Sequence, residues 1–126
     1  MDRRRISTGS DRETRFGYSR AVRVGNRVLV SGTAPIWPDG SCDPDPGVQA
    51  RRCLEIIVGA IREAGGGPQH VVRTRMFVTS ADIEEAVGRA HGEVFGDAPP
   101  VSTMVVITGL LDPRWKVEIE AEAIVD

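Results

Sequence analysis

The sequence predicts an α+β fold: a single mixed β-sheet with two helices packed on one face, in the order β-β-α-β-α-β-β, forming one domain over residues 1–126. Three patterns carry this reading. Val117 to Val125 alternates strictly, with Val117, Ile119, Ala121, Ala123 and Val125 on one face and Lys116, Glu118, Glu120 and Glu122 on the other, which is the period of a half-buried strand. Two internal stretches, Gly47 to Ala64 and Asp82 to about Phe95, carry apolar residues at helical spacing. Gly25-Asn26 sits between two β-prone runs, Tyr18 to Val24 and Arg27 to Gly32, a hairpin signature because both turn residues tolerate positive φ.

In chain order, Met1 to Gly17 is polar, and only Ile6 suggests an edge strand; the remainder reads as loop. The hairpin follows. Ala34 to Pro46 then holds four of the eight prolines, Gly40 and three aspartates, a composition that excludes a central strand. Trp37 within it is a large aromatic in a polar loop and should cover something. In the first helix Ala50, Cys53, Leu54, Ile57, Ile61 and Ala64 form one apolar stripe, and Gly65-Gly66-Gly67-Pro68 stops it. Val71 to Thr79 is a strand with Val72, Thr74, Met76 and Val78 on one face and Arg73, Arg75 and Phe77 on the other. Asp82, Glu84 and Glu85 open the second helix, where their charge suits the helix dipole; Ile83, Val87, Ala90 and Val94 are its apolar side, and Gly96 ends it. Thr103 to Thr108 is β-branched or apolar almost throughout and reads as a strand buried on both faces. Gly109 and Asp112-Pro113 read as a short turn into the final strand.

Two right-handed crossovers make three of these strands parallel, and the last strand antiparallel to them. Both helices then cover one face of the sheet. The other face, with Arg73, Arg75, Phe77, Glu118, Glu120 and Glu122, is left open and is a candidate for oligomerisation. The glutamate row there requires water or cationic partners.

Composition narrows the function classes. A net charge of −2 leaves no global basic field for nucleic acid. No apolar run is long enough to span a bilayer, and no apolar segment follows Met1-Asp2-Arg3-Arg4-Arg5 as a secretory leader would require. Cys42 and Cys53 lie in unlike settings, and no His or Cys stands at metal-ligand spacing. The expectation is a cytoplasmic, reduced protein without a metal, a cofactor or a membrane partner.

Several motifs together resemble the RidA/YjgF family. Tyr18-Ser19-Arg20-Ala21-Val22, Gly25-Asn26 and Val30-Ser31-Gly32-Thr33-Ala34-Pro35 are similar to its opening pattern. Ala64-Gly65-Gly66 before Val71-Val72-Arg73-Thr74, then Phe95, Pro100 and Val117-Glu118-Ile119-Glu120-Ala121, are similar to its middle and its close. The resemblance implies a chorismate-mutase-like fold and a homotrimer. It also implies small-molecule clefts between subunits and hydrolysis of reactive enamines and imines to keto acids and ammonia. Ser102 stands where the deaminase branch carries a carboxylate-binding arginine, and Met104 where that branch carries a cysteine. A hydroxyl cannot form the bidentate, charge-assisted clamp of a guanidinium. The resemblance is therefore to an arginine-less branch, outside the standard 2-imino-acid deaminases.

The candidate catalytic residue is Glu120, as a general acid/base; its alternative role is an ion pair with Arg73 or Arg75 across the sheet. Glu118 and Glu122 read as structural. Candidate ligand contacts are Tyr18, Ser31, Gly32, Thr33, Ser102, Thr103, Met104 and Trp37, each with a packing or turn role as the alternative. Trp115 either walls the same pocket or packs in the core. His91 reads as a hydrogen-bonded or solvated histidine and His70 as a loop residue. Three function classes follow: a RidA-like hydrolase for a small activated metabolite, a trimer that binds such a metabolite without turnover, and an endoribonuclease. The third is disfavoured by the negative charge and the lack of a histidine pair.

Overall fold

A computed structural model describes all of residues 1–126. The elements in chain order are β1 (Arg3–Ile6), α1 (Asp11–Phe16), β2 (Ala21–Val24), β3 (Arg27–Thr33), α2 (Pro46–Glu63), β4 (Val71–Val78), α3 (Glu84–Phe95), β5 (Val101–Val106) and β6 (Val117–Ile124). Short 3₁₀ turns precede β4 and α3. One six-stranded sheet runs β1-β2-β3-β6-β4-β5. The fold is the mixed α+β sheet that the alternation and the helical periods predict.

The apolar stripes build the core between the sheet and the helices α2 and α3. Leu54, Ile57 and Ile61 of α2 pack with Val117, Ile119, Ala121 and Ala123 of β6 in one buried cluster. Each large side chain buried there is worth roughly 1.5–3 kcal/mol. Helix α2 starts one residue before the predicted Gly47. Asp45 caps it, its Oδ1 accepting from the N–H groups of Gly47 at 2.8 Å and Val48 at 3.1 Å, with Pro46 at the first helical position.

Four expectations change. The N-terminal loop contains α1, too short and too polar to show a period. Gly17 closes it in the left-handed conformation at φ 73°, its N–H bonded to the Glu13 carbonyl. Residues 107–116 are not a hairpin turn: β3, β4 and β5 share one direction, but β6 inserts between β3 and β4, antiparallel to both. Strand β5 is consequently the outer strand, and its Val101, Val105 and Val106 are exposed rather than buried on both faces. In β4 a register shift between Val71 and Arg73 against β6 turns Val71 into the core and leaves Val72 outside, so only Thr74, Met76 and Val78 keep the predicted buried face. The open face is as expected, and it is laced by ion pairs: Arg75 Nη1 to Glu120 Oε1 at 3.0 Å and Arg27 Nη2 to Glu122 Oε2 at 3.3 Å.

No helix is long and apolar enough to cross a membrane.

Candidate functional site

A cavity of about 750 Å³ opens where the end of β3, the start of β6 and the loops around them meet. Its polar lining includes Arg12, Glu13, Tyr18, Arg20, Arg52 and Glu118, and its apolar lining includes Ile36, Trp37, Leu111 and Trp115.

The loops that form its apolar wall are fixed by side chains of α2. Gln49 is fully buried. Its Nε2 donates to the Asp43 and Arg114 carbonyls at 2.8 and 3.0 Å, and its Oε1 accepts from the Lys116 N–H at 2.8 Å. One amide thus clasps the loop bearing Trp37 to the connection bearing Trp115. Arg52 Nε holds the Ile36 carbonyl at 2.7 Å, and Arg114 Nη1 holds that of Gly40 at 3.1 Å. Arg12 lies over the Trp115 ring at 5.1 Å, a cation–π contact that keeps this guanidinium at the cavity.

Glu118 supplies the carboxylate. It is half-buried, and burial raises its pKa, with the positive charges of Arg20 and Arg12 opposing the rise and Glu120 adding to it. Its carboxylate lies against the backbone of Gly32: a Cβ at that position would sit 2.7 Å from Glu118 Oε2. A side chain at that position would push the end of Glu118 aside. Arg20 is buried, at 7% exposure. Its Nη1 donates to Thr33 Oγ1 at 3.2 Å, while its Nε stands 4.0 Å from Glu13 Oε2 and has no hydrogen-bond acceptor. Glu13 is occupied elsewhere: it accepts from Ser7 Oγ at 2.8 Å, Thr8 N at 3.2 Å and Thr8 Oγ1 at 2.6 Å. Burial alone would raise the Glu13 pKa, but the hydrogen bonds from Thr8 and Ser7 and the charge of Arg20 hold it below the ordinary value.

The predicted residues divide between this cavity and three other places. Tyr18, Ser31, Gly32 and Trp37 line the cavity, and so does Trp115. Thr33 does not reach it; fully buried, it accepts from Arg20 and donates to the Ser31 carbonyl at 2.8 Å. Glu120 lies outside it, in a smaller hollow of about 230 Å³ with Arg73, Arg75 and Glu122. Its pairing with Arg75 is the alternative role that the sequence left open, and the carboxylate facing the cavity is Glu118.

Ser102, Thr103 and Met104 lie on β5, two strands away from β6, a distance of about 10 Å. Ser102 ends a hydrogen-bonded chain on the helix side of the sheet: His91 Nε2 is 2.8 Å from Thr74 Oγ1, which is 2.8 Å from Ser102 Oγ. Burial lowers the His91 pKa. His70 also has a partner, its Nδ1 accepting from the Gly67 N–H at 3.0 Å. Arg20, Glu13, Gln49 and Glu118 are the residues that sequence reasoning missed. A buried Gln on the apolar stripe of α2, and an arginine directly before the apolar run Ala21–Val24, were the available signals.

The family model described as Endoribonuclease L-PSP matches residues 9–125. Solved structures similar to this chain include a member of the YjgF/YER057c/UK114 family from Mycobacterium tuberculosis, at TM-score 0.91 and 41% identity, covering 98% of this chain and 100% of that one. The chain belongs to the RidA/YjgF family. A protein of the Rid family from Yersinia pestis, of unknown function, superposes at TM-score 0.86 with 26% identity, covering 98% of this chain and 100% of that one. Among curated relatives, an uncharacterized protein of Streptomyces coelicolor is 40% identical over 121 residues, which is 95% of this chain and 90% of the relative. A RutC family protein of Pyrococcus abyssi is 31% identical over 109 residues, 85% of this chain and 84% of the relative. The RidA/YjgF similarity thus extends over nearly the whole chain.

Proposed function

We propose that this chain is a RidA-like hydrolase that converts a small reactive imine or enamine to the keto compound and ammonia, in a cleft completed by assembly of a homotrimer. The observation that carries the reading is the half-buried Glu118 carboxylate, with its raised pKa, in a walled cavity that also holds a buried guanidinium. The reaction is R₂C=NH + H₂O → R₂C=O + NH₃. Glu118 takes a proton from water as it adds to the imine carbon and delivers it to the nitrogen, giving the carbinolamine R₂C(OH)NH₂; it then moves the hydroxyl proton to that nitrogen as the C–N bond breaks, the C=O bond forms and NH₃ leaves. A carboxylate whose pKa is lifted toward neutrality is the better base for the first step.

The trimer reading rests on the open sheet face and the outer strand. Leu29, Val101, Val105 and Val106 are exposed there beside the ion-pair row, a mixed patch suited to burial between subunits. In such an assembly the β5 edge of one subunit, with Ser102, Thr103 and Met104, meets the cavity of the next. Ser102 in place of arginine disfavours imines of ordinary small amino acids at that edge. The RNA-cleaving label of the family model gains no support from the cavity, which has no histidine in its lining.

The test is to generate imines in situ with an amino-acid oxidase and follow keto-acid appearance with and without the protein. Acceleration is expected for imines with bulky, flat side chains, and little or none for those of ordinary acidic or branched-chain amino acids. No acceleration of any imine, with the same compounds binding in the cavity, would favour a metabolite-binding trimer without turnover. Sedimentation should give three chains per particle, and Val105→Glu on the exposed edge should release single chains. A wild-type monomer at micromolar concentration would refute the assembly.

A further inference from the structure

We infer that Arg20 is the anion anchor of the cavity, and that the ligand is a carboxylate with a bulky, flat apolar body. The inference rests on the reading of this cavity as the ligand site. A buried guanidinium ordinarily has its five N–H donors engaged. Arg20 departs from this. Nη1 is taken by Thr33, the guanidinium carbon lies 5.8 Å from the centroid of the Tyr18 ring, and Nε is buried with no acceptor. Its nearest carboxylate, Glu13, is 4.0 Å from Nε and is already held by Ser7 and Thr8. An arginine left in this state carries a desolvation cost that an incoming anion offsets.

The surroundings favour negative charge and an apolar body. Three arginines, Arg12, Arg20 and Arg52, line the cavity against two glutamates, Glu13 and Glu118. Protonation of Glu118 would leave the field more positive still. Trp37, Trp115, Ile36 and Leu111 supply the apolar wall, and about 750 Å³ is far more than a three-carbon acid fills. With a carboxylate on Arg20, the ring or branched body of the ligand meets the tryptophans, and the atoms adjacent to the carboxylate come under Glu118.

Calorimetric titration of the whole protein with 3-phenylpropionate and its neutral isostere 3-phenylpropionamide tests this. The carboxylate should bind about 10- to 100-fold more tightly than the amide, and Arg20→Gln should bring the two to parity. Equal binding of acid and amide to the wild type overturns the anchor and leaves the cavity reading intact. Binding of neither overturns both. A preference for the acid that survives in folded Arg20→Gln assigns the anchor to another cation and overturns the inference. Should Arg20→Gln not fold, the wild-type pair still decides, together with the Arg20 side-chain ¹⁵N resonances. These should move on adding the acid and stay in place on adding the amide; the reverse contradicts the anchor.

Discussion

Exchanging Glu118 for Gln separates its chemical role from a structural one, because the two predict opposite changes in stability. Gln keeps the shape and hydrogen-bonding capacity of the side chain but cannot exchange a proton near neutral pH. Positioned acid–base catalysis contributes about 10²–10⁴ in rate, so kcat should fall by that factor with little change in KM. The stability effect follows from the direction of the pKa shift. Burial raises the Glu118 pKa above the ordinary 4.5 in the folded state, despite Arg20. The folded chain therefore holds this proton more tightly than the unfolded chain. The stability contributed is fully present below pH 4.5 and is lost as pH rises through the folded pKa. At pH 7.5 the ionised group is a burden, so Glu118→Gln should melt at the same temperature as wild type or higher while losing turnover. Glu120→Gln is the control. It breaks the 3.0 Å pair with Arg75, which is half-exposed in the single chain, at a cost of up to about 1 kcal/mol there, and should keep turnover. Imine hydrolysis and thermal melting on both variants decide the matter. A Glu118→Gln protein that melts lower and stays active would refute the reasoning.

Other perturbations test the parts that position this group. Gly32→Ala pushes a methyl group into the Glu118 carboxylate, at 2.7 Å from its Oε2; a displacement of this size should cost about 10²-fold in kcat with the fold retained by circular dichroism. Gln49→Leu leaves the Lys116 N–H and the Asp43 and Arg114 carbonyls without their partner, and denaturant unfolding should register a loss of about 3 kcal/mol. Burial lowers the His91 pKa below 6.5, so its share of stability is present above pH 6.5 and is lost as pH falls through the folded pKa. His91→Gln should flatten that acid limb in a series of melts, and an unchanged limb would contradict it.

Most of the fold was legible because periodicity reports burial directly. The alternation of Val117 to Val125 and the stripe from Ala50 to Ala64 are one-dimensional records of faces that the structure buries. The position of β6 between β3 and β4 was not legible. Residues 107–116 carry turn chemistry, and Asp112 and Arg114 do form a local turn, joined by a bond of 2.9 Å between Arg114 Nη2 and Asp112 Oδ2. The strand order, however, is decided by which neighbours bury both flanks of β6, a long-range property. Helix α1 escaped notice because its stability comes from the buried Glu13 and its partners rather than from an apolar stripe. For the site, Tyr18, Ser31 and Gly32 were found by motif, and Trp37 as a large aromatic in a polar loop. The choice between Glu118 and Glu120 was not available from the sequence, since both occupy the same strand face and differ only in what lies opposite: Arg75 for one, the cavity and Gly32 for the other.

The central claim is that Glu118 is the proton-exchanging group of the cavity. A ¹³C-detected titration of its side-chain carboxyl measures this most directly. A midpoint above 4.5 is expected, coinciding with the acid limb of the pH–rate profile and rising further in Arg20→Gln. A Glu118 midpoint at or below 4.5, with the pH–rate profile unmoved by Glu118→Gln, would contradict it.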